Sequence, residues 1–312
     1  MKAIRTITIN PCFDWHYTVP NFEAGKENLV TAMNVEAGGK GVNTSRALRV
    51  NGVENLAYLI VGDENGEAFL AHLKKDDVPF RYFTTEGRIR ENITVHPHEG
   101  QETRISVNTF RVPESAFAEM EAAILSEDVP NLLVSFSGRI PVGLQKSRVL
   151  EMLEKLIAGG AKVAVDSSSF TPDDLRALHP WFIKPNEQEI EAFLGRAPAT
   201  ALDAAEAARK LVRAGVGETV MITLGGKGAA YSDGRNAYVL HVPKLKNPVS
   251  TVGAGDSTIA GLLAGTAREL PLEDTLRLAV AYGTAACMTA GTLPPLPQDV
   301  KTVFAQTRAE RV

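Results

Sequence analysis

Residues 250–258 read Ser250-Thr251-Val252-Gly253-Ala254-Gly255-Asp256-Ser257-Thr258, and the small, apolar run Ile259-Ala260-Gly261-Leu262-Leu263-Ala264-Gly265 follows at once. This is the pattern of a glycine-rich turn feeding a buried helix, with one acid at the helix start. A helix N-terminus carries unpaired backbone N–H groups and the positive end of the macrodipole, which together suit a phosphate. Gly253 and Gly255 let the backbone approach a ligand. Asp256 would then stand beside the anion, within reach of the proton on an attacking hydroxyl. The same nine residues also suit an aspartate capping an ordinary core helix, so the rest of the chain has to decide.

Outward from this turn, short apolar or β-branched runs alternate with helical patterns. Ile4–Ile9, Leu56–Val61, Asn131–Phe136, Lys162–Asp166, Trp181–Lys184 and Thr219–Leu224 read as strands. Helical patterns cover Gly41–Val50, Glu67–Lys75, Glu114–Leu125, Leu144–Ala158, Glu187–Leu194, Leu202–Arg213, Asp256–Ala267 and Leu272–Ala290. The alternation predicts a doubly wound α/β fold, a mostly parallel sheet flanked by helices. The continuous apolar strands fit a sheet covered on both faces. Residues 12–36 and 88–110 break the pattern. Arg90–Val107 reads as a hairpin around His98–Gln101, and Phe13–Pro20 with Leu29–Glu36 as a second strand pair. Together they predict a small β-sheet outside the core: a lid over a cleft, a dimer interface or an edge decoration. The expected division is a core of 1–11, 37–87 and 111–312, with a lid of 12–36 and 88–110.

Composition narrows the function. A net charge of -4 without a basic block argues against nucleic acid as partner. Cys12 and Cys287 are the only cysteines, and with the histidines scattered they form neither a zinc cluster nor a disulfide framework. The first ten residues lack the apolar core of a signal peptide. No apolar run approaches the ~18 residues that span a bilayer. The expectation is a cytoplasmic, enzyme-like protein with no membrane association.

Four further motifs stand where such a core would carry chemistry. Ala37-Gly38-Gly39-Lys40-Gly41-Val42-Asn43 precedes a helix, and its bare backbone and Asn43 suit a polar ligand or a plain strand-to-helix turn. It is not a Walker A loop, since Gly41 follows Lys40 where Ser or Thr is required. Asn10-Pro11-Cys12-Phe13-Asp14 ends the first strand with an acid, and ligands of open α/β sheets sit at such carboxyl ends. Asp14 can grip sugar hydroxyls or cap a turn. Lys184-Pro185-Asn186-Glu187-Gln188-Glu189 offers a capping box, or a place near a magnesium–phosphate assembly. Thr223-Leu224-Gly225-Gly226-Lys227-Gly228 is either a nucleotide-side loop or a hairpin turn.

Taken together and in order, these motifs resemble the ribokinase-like sugar kinases, and within them the phosphofructokinase-B family, over essentially the whole chain. The opening and the 250–257 run are most similar to the 1-phosphofructokinase and tagatose-6-phosphate kinase branches. The resemblance implies ATP and Mg2+ as cofactors, a β lid over the sugar, and a homodimer through that lid. It implies Asp256 as catalytic base, with the N–H groups of Ala254, Gly255 and Asp256 as the anion hole entered at Gly253. It assigns Asp14, Gly38, Gly39 and Asn43 to the sugar. Lys184, Asn186, Thr223, Gly225, Gly228, Ser250 and Thr251 go to the nucleotide, and Glu189 to magnesium.

The resemblance also implies basic lid residues around a phosphate already on the substrate. Arg90 matches the family's Arg-x-Asn element, Lys26 a lysine of the 6-phosphofructokinase branch, and Arg104 is a further candidate. An arginine fork suits phosphate. Two positions depart from the pattern. Arg139, in Ser137-Gly138-Arg139-Ile140-Pro141, replaces the usual serine and adds a cation near the sugar, and Thr94 replaces a lysine common in 1-phosphofructokinases. The expected activity is ATP-dependent phosphorylation of a ketohexose phosphate, fructose 1-phosphate first, with tagatose 6-phosphate or fructose 6-phosphate as alternatives. A free-sugar or nucleoside kinase, a silent sugar-binding regulator and a Rossmann oxidoreductase are the other readings. Arg90 and Lys26, the intact Asp256 and the missing dinucleotide fingerprint argue against them in turn.

Overall fold

The computed structural model describes residues 2–99 and 101–312. Among the described residues there are fourteen strands and ten α-helices, largely in the alternation read from the sequence. The strands are β1 Ala3–Thr8, β2 Cys12–Thr18, β3 Ala32–Gly38, β4 Asn55–Gly62, β5 Phe80–Thr85, β6 Arg90–His96 and β7 Thr103–Ile105, then β8 Leu132–Ser137, β9 Lys162–Asp166, β10 Phe182–Ile183, β11 Thr219–Thr223, β12 Ala229–Ser232, β13 Ala237–His241 and β14 Arg308–Arg311. The helices are α1 Lys40–Val50, α2 Gly66–Lys75, α3 Glu114–Leu125, α4 Lys146–Ala158 and α5 Pro172–Leu178, then α6 Glu187–Leu194, α7 Ala201–Arg213, α8 Ala254–Ala267, α9 Leu272–Ala286 and α10 Pro297–Gln306.

Ten strands form one sheet in the order β14-β13-β12-β11-β10-β9-β8-β1-β4-β5. From β5 to β11 every neighbour is parallel, and β12 to β14 close one edge antiparallel. Alternate residues of a strand serve opposite faces. Leu133 belongs to an apolar cluster that includes Ala47, Ile259, Leu278 and Val300 of α1, α8, α9 and α10. Its neighbour Val134 belongs to the other cluster, with Phe69, Phe117, Leu153 and Ala204 of α2, α3, α4 and α7. Helix starts follow local chemistry: Thr200 and Asp203 form a capping box on α7, and Thr171 and Asp174 one on α5. Because β1, β8, β9, β10 and β11 are parallel, their carboxyl ends share one edge, and Asn10, Ser137, Asp166, Lys184 and Thr223 gather there.

The two irregular regions form a separate four-stranded sheet, β3-β2-β6-β7, with β2 and β6 parallel and the outer pairs antiparallel. Lid strand β3 runs to Gly38, two residues beyond the predicted Glu36, because Ala37 and Gly38 still pair with Phe13 and Cys12. Gly100, inside the predicted hairpin turn, lies outside the described residues. At the other end of the chain, α9 stops at Ala286, not Ala290. Its last turn tightens through i→i+3 bonds from Met288 to Ala285 and from Thr289 to Ala286, and Gly291 then turns the chain into Pro294 and Pro295. Strands β5, β12, β13 and β14 and helices α5 and α10 go beyond the elements read from the sequence; all but α10 are only four to seven residues long and lie at sheet edges or between longer elements. Among the described residues no helix is long and apolar enough to cross a membrane.

Candidate active site

Helix α8 opens at Gly253, whose φ of 77° is the left-handed conformation that glycine adopts without strain. Its first turn has no side-chain cap. The backbone N–H groups of Gly255 and Asp256 make no hydrogen bond among the described residues, while that of Ala254 turns back to Thr251 O at 3.4 Å. Of the three amides in the expected anion hole, Gly255 and Asp256 are thus open to a ligand, and that of Ala254 is engaged within the turn.

Asp256 is 6% exposed, and its Oδ2 accepts from Asn43 Nδ2 at 2.8 Å. Burial pushes its carboxyl up to about 6, helped by the Asp166 charge and opposed by Lys40, the Asn43 hydrogen bond and Lys184. A carboxyl so tuned is a base that is ionised at neutral pH yet takes up a proton readily. Asn43 Oδ1 is buried without a partner, an acceptor still open in the cleft.

Asp166 ends β9 and was not singled out in the sequence. Its Oδ2 lies 3.2 Å from Lys40 Nζ and 3.7 Å from Lys184 Nζ. Burial would raise the Asp166 carboxyl, but Lys184 and Lys40 outweigh it and hold the group below its usual value. Burial likewise opposes the charge on Lys40, but Asp166, Asp256 and Glu189 reverse this and raise it. Lys184 Nζ stands 3.0 Å from where a Cβ on Gly255 would be, directly over the anion turn. Asp166 thus holds two ammonium groups, and that of Lys184 stands at the turn. In the Gly-Gly-Lys-Gly motif the sequence points to the glycines and Asn43; the signal for Lys40 is a lysine inside that glycine cluster.

On the wall of the cleft formed by the small sheet, Asp14 Oδ1 accepts from Asn92 Nδ2 at 2.9 Å. Gly38 lies directly beneath: a Cβ there would overlap Asp14 Oδ2, so only glycine leaves that oxygen in place. Burial and the Asp14 charge raise the neighbouring Cys12 thiol well above its ordinary value, so it stays protonated. Arg90 makes four hydrogen bonds, all to neutral oxygens of Asn10, Asn92 and Val107. Its guanidinium is held in place while its charge has no carboxylate partner among the described residues. Arg104 and Arg139 are exposed, line the same cleft and make no ion pair among the described residues. The structure does not bring Lys26 there: it is exposed in the loop between β2 and β3 and pairs with Glu23 at 2.5 Å.

On the far side, Asn186 and Glu189 form the capping box of α6 and also line the cleft. The cap uses Asn186 Oδ1 and Glu189 Oε2, so both residues keep a second polar atom without a hydrogen bond among the described residues. Thr223 bridges to Asn186 and lines the cleft with Thr251. Gly225 and Gly228 instead shape the hairpin turn between β11 and β12, and Ser250 Oγ accepts from Val252 N within the turn. These three support the wall and do not line it. Among the described residues no group of three His, Cys, Asp or Glu could hold a metal by itself. A magnesium ion at Glu189 would need phosphate oxygens and water for the rest of its shell, its usual arrangement.

The cleft encloses about 540 Å³, enough for a sugar phosphate. A larger cavity of about 620 Å³ around Arg111 and Glu119 joins no acid to an anion-binding turn. The smaller cleft is the one that gathers an uncapped helix start, a buried carboxyl of raised pKa, two lysines and an arginine without a carboxylate partner among the described residues.

The pfkB family carbohydrate kinase model matches residues 8–299. The 1-phosphofructokinase of Escherichia coli K12 is 30% identical over 285 residues, covering 91% of this chain and 91% of that protein. The ATP-dependent 6-phosphofructokinase isozyme 2 of the same organism is 28% identical over 307 residues, covering 98% and 99%. The crystal structure of E. coli phosphofructokinase-2 in complex with substrates and products superposes with a TM-score of 0.91 at 27% identity, covering 97% of this chain and 99% of that one. The chain belongs to the pfkB family of carbohydrate kinases.

Proposed function

We propose that the protein transfers the terminal phosphoryl group of ATP to a hydroxyl of a ketohexose phosphate, fructose 1-phosphate first, giving fructose 1,6-bisphosphate and ADP. The observation that carries this reading is Asp256, buried and pushed up to about 6, hydrogen-bonded to Asn43 at the anion turn. The acceptor oxygen attacks the terminal phosphorus, its proton passes to Asp256, and the bond to the ADP oxygen breaks. The N–H groups of Gly255 and Asp256 take the equatorial oxygens, with Lys40 and Lys184 neutralising the charge. Magnesium, held through Glu189, water and the phosphates, would add further charge neutralisation. Asp14, Asn92 and Asn43 orient the sugar hydroxyls. Asn186, Thr223 and Thr251 form the nucleotide wall.

Arg90, Arg104 and Arg139 support a substrate that already carries a phosphate. Three cleft-facing guanidiniums without carboxylate partners would be left uncompensated by a free sugar. The similarity to both 1-phosphofructokinase and 6-phosphofructokinase proteins leaves two phosphate positions, and Arg139, absent from the usual motif, is the residue that distinguishes this cleft. Arg139→Ser is expected to raise the KM for the sugar phosphate about 10–100-fold, the size of a lost charged hydrogen bond, with kcat nearly unchanged. Steady-state kinetics reads this directly; an unchanged KM would remove Arg139 from the phosphate grip.

The pH profile follows from Asp256. Below about 6 the base is protonated and kcat/KM is expected to fall tenfold per pH unit, with a plateau above. A sugar-phosphate ester titrates near the same pH. The same limb in binding of the ester alone would assign it to the substrate instead.

A second copy of this chain is the proposed partner. Leu29, Val30, Met33 and Ile105 of the lid are exposed, Leu29 at 76% and Met33 at 70%. Apolar residues gathered on one small sheet and its loop are the kind of surface that association covers.

A further inference from the structure

We infer that Glu36, on lid strand β3, is a positioning residue that holds the phosphoryl-binding turn through Thr292. The inference deepens the proposed function and rests on its assignment of the anion turn. Glu36 is the register partner of Asp14 across β2 and β3, so the two side chains share one face of the lid. Its Oε2 accepts from the backbone N–H of Thr292 at 3.2 Å and also from Thr292 Oγ1. Its Oε1 accepts from Asn34 Nδ2 at 3.0 Å.

Arg46, on α1, holds the other side of Thr292. Its Nη1 donates to Thr292 O at 3.4 Å and lies 3.7 Å from Glu36 Oε2, while its Nε faces Asp76 at 2.7 Å. Glu36, Arg46 and Thr292 are each no more than 5% exposed. The donors and the carbonyl of one residue in an irregular segment are thus clamped by a buried acid and a buried base. A buried ion pair costs desolvation, so apolar packing would hold two elements together at least as well. What the charged pair adds is a fixed direction at Thr292.

That direction matters because of what Thr292 touches. It lines the cleft, and its Cα lies 3.9 Å from where a Cβ on Gly253 would stand. Gly253 opens α8 and sets the aim of the Gly255 and Asp256 amides. A continuous path therefore runs from Asp14 on the sugar, across the β2–β3 pair to Glu36, through Thr292, to the turn that receives the phosphoryl group. The lid strand that holds the acceptor also holds the anion site, although Glu36 and Thr292 are 256 residues apart in sequence.

The test uses Glu36→Gln, which keeps the shape but loses the charge, Thr292→Val, which loses the hydroxyl, and the double variant. Each single change is expected to lower kcat about tenfold, with the sugar-phosphate KM within about twofold, because the interaction serves the transition state more than binding. The double variant should be no slower than the worse single one, since both cut one link. Amide hydrogen exchange over residues 250–258 of the apoprotein should speed up in Glu36→Gln while that over α7 does not change. Additive losses, a raised KM at unchanged kcat, or unchanged exchange over 250–258 would each overturn the inference. The exchange readout needs no turnover, so it decides the role of Glu36 even if no ketose phosphate proves to be a substrate. Loss of activity in Asp256→Asn tests the underlying reading separately.

Discussion

Replacing Asp256 by asparagine is expected to lower kcat about 10²–10⁴-fold and at the same time to make the protein more stable at pH 7. The first effect follows from losing the proton acceptor while Asn43, the anion turn and both lysines remain. The second follows from linkage. The Asp256 carboxyl moves from 3.8 to about 6 on folding, chiefly through burial. Between those values the folded state holds a proton that the unfolded chain has released, so stability falls as pH rises through that window. Above it the deficit is about 3 kcal/mol, from about two pH units at ~1.4 kcal/mol each. Asparagine never ionises, so the variant should gain up to that amount at pH 7 and nothing below pH 4. Urea unfolding of both proteins at pH 4 and pH 7.5 measures the difference. Lost activity together with lost stability would mean that the carboxylate holds the fold.

Asp166→Asn has the opposite sign and the largest expected effect on stability. The Lys184 side chain is 4% exposed, and its nearest anion is Asp166. Breaking a buried pair from one side strands the other charge, at about 3–5 kcal/mol. In a chain of this size that corresponds to a Tm lower by about 5–8 °C. The stabilisation from Asp166 is present above its ordinary value near 3.8, because its folded pKa is lowered, and it disappears as pH falls through that lower value. The gap between wild type and variant should therefore be full at pH 7 and shrink in strong acid. Removing the Asp166 charge also relieves one of the influences that raise Asp256, so residual activity should show its acid limb at lower pH. Calorimetry at pH 7 is the check; a Tm within two degrees of wild type would show that Lys184 finds other compensation.

The contrast between these two aspartates explains what the sequence could tell. Asp256 announces itself because its chemistry is local: glycine turn, acid and buried helix occupy consecutive residues. The capping box of Asn186 and Glu189 is legible for the same reason. Asp166 closes an apolar strand like any other acid, and its role arises only when Lys40, 126 residues away, and Lys184 arrive beside it. Arg90 was visible as a basic residue on a lid strand, but its anchoring to Asn10 crosses from lid to core. Lys26 shows the converse. It matches a family lysine in the sequence, yet the loop between β2 and β3 leaves it in solvent beside Glu23. Thr292, just beyond α9, carries no local signal, because its link to Glu36 spans 256 residues. The alternating fold was plain from strand and helix periods, whereas the antiparallel edge of β12 to β14 depends on pairings across the chain.

The most direct test is ADP release from Mg-ATP with fructose 1-phosphate, fructose 6-phosphate, tagatose 6-phosphate and free fructose, using wild type and Asp256→Asn side by side. The proposed function predicts turnover on a ketose phosphate, fructose 1-phosphate foremost, little on free fructose, and a loss of about 10²–10⁴-fold in the variant. Equal turnover on free fructose, or a variant as active as wild type, would contradict it.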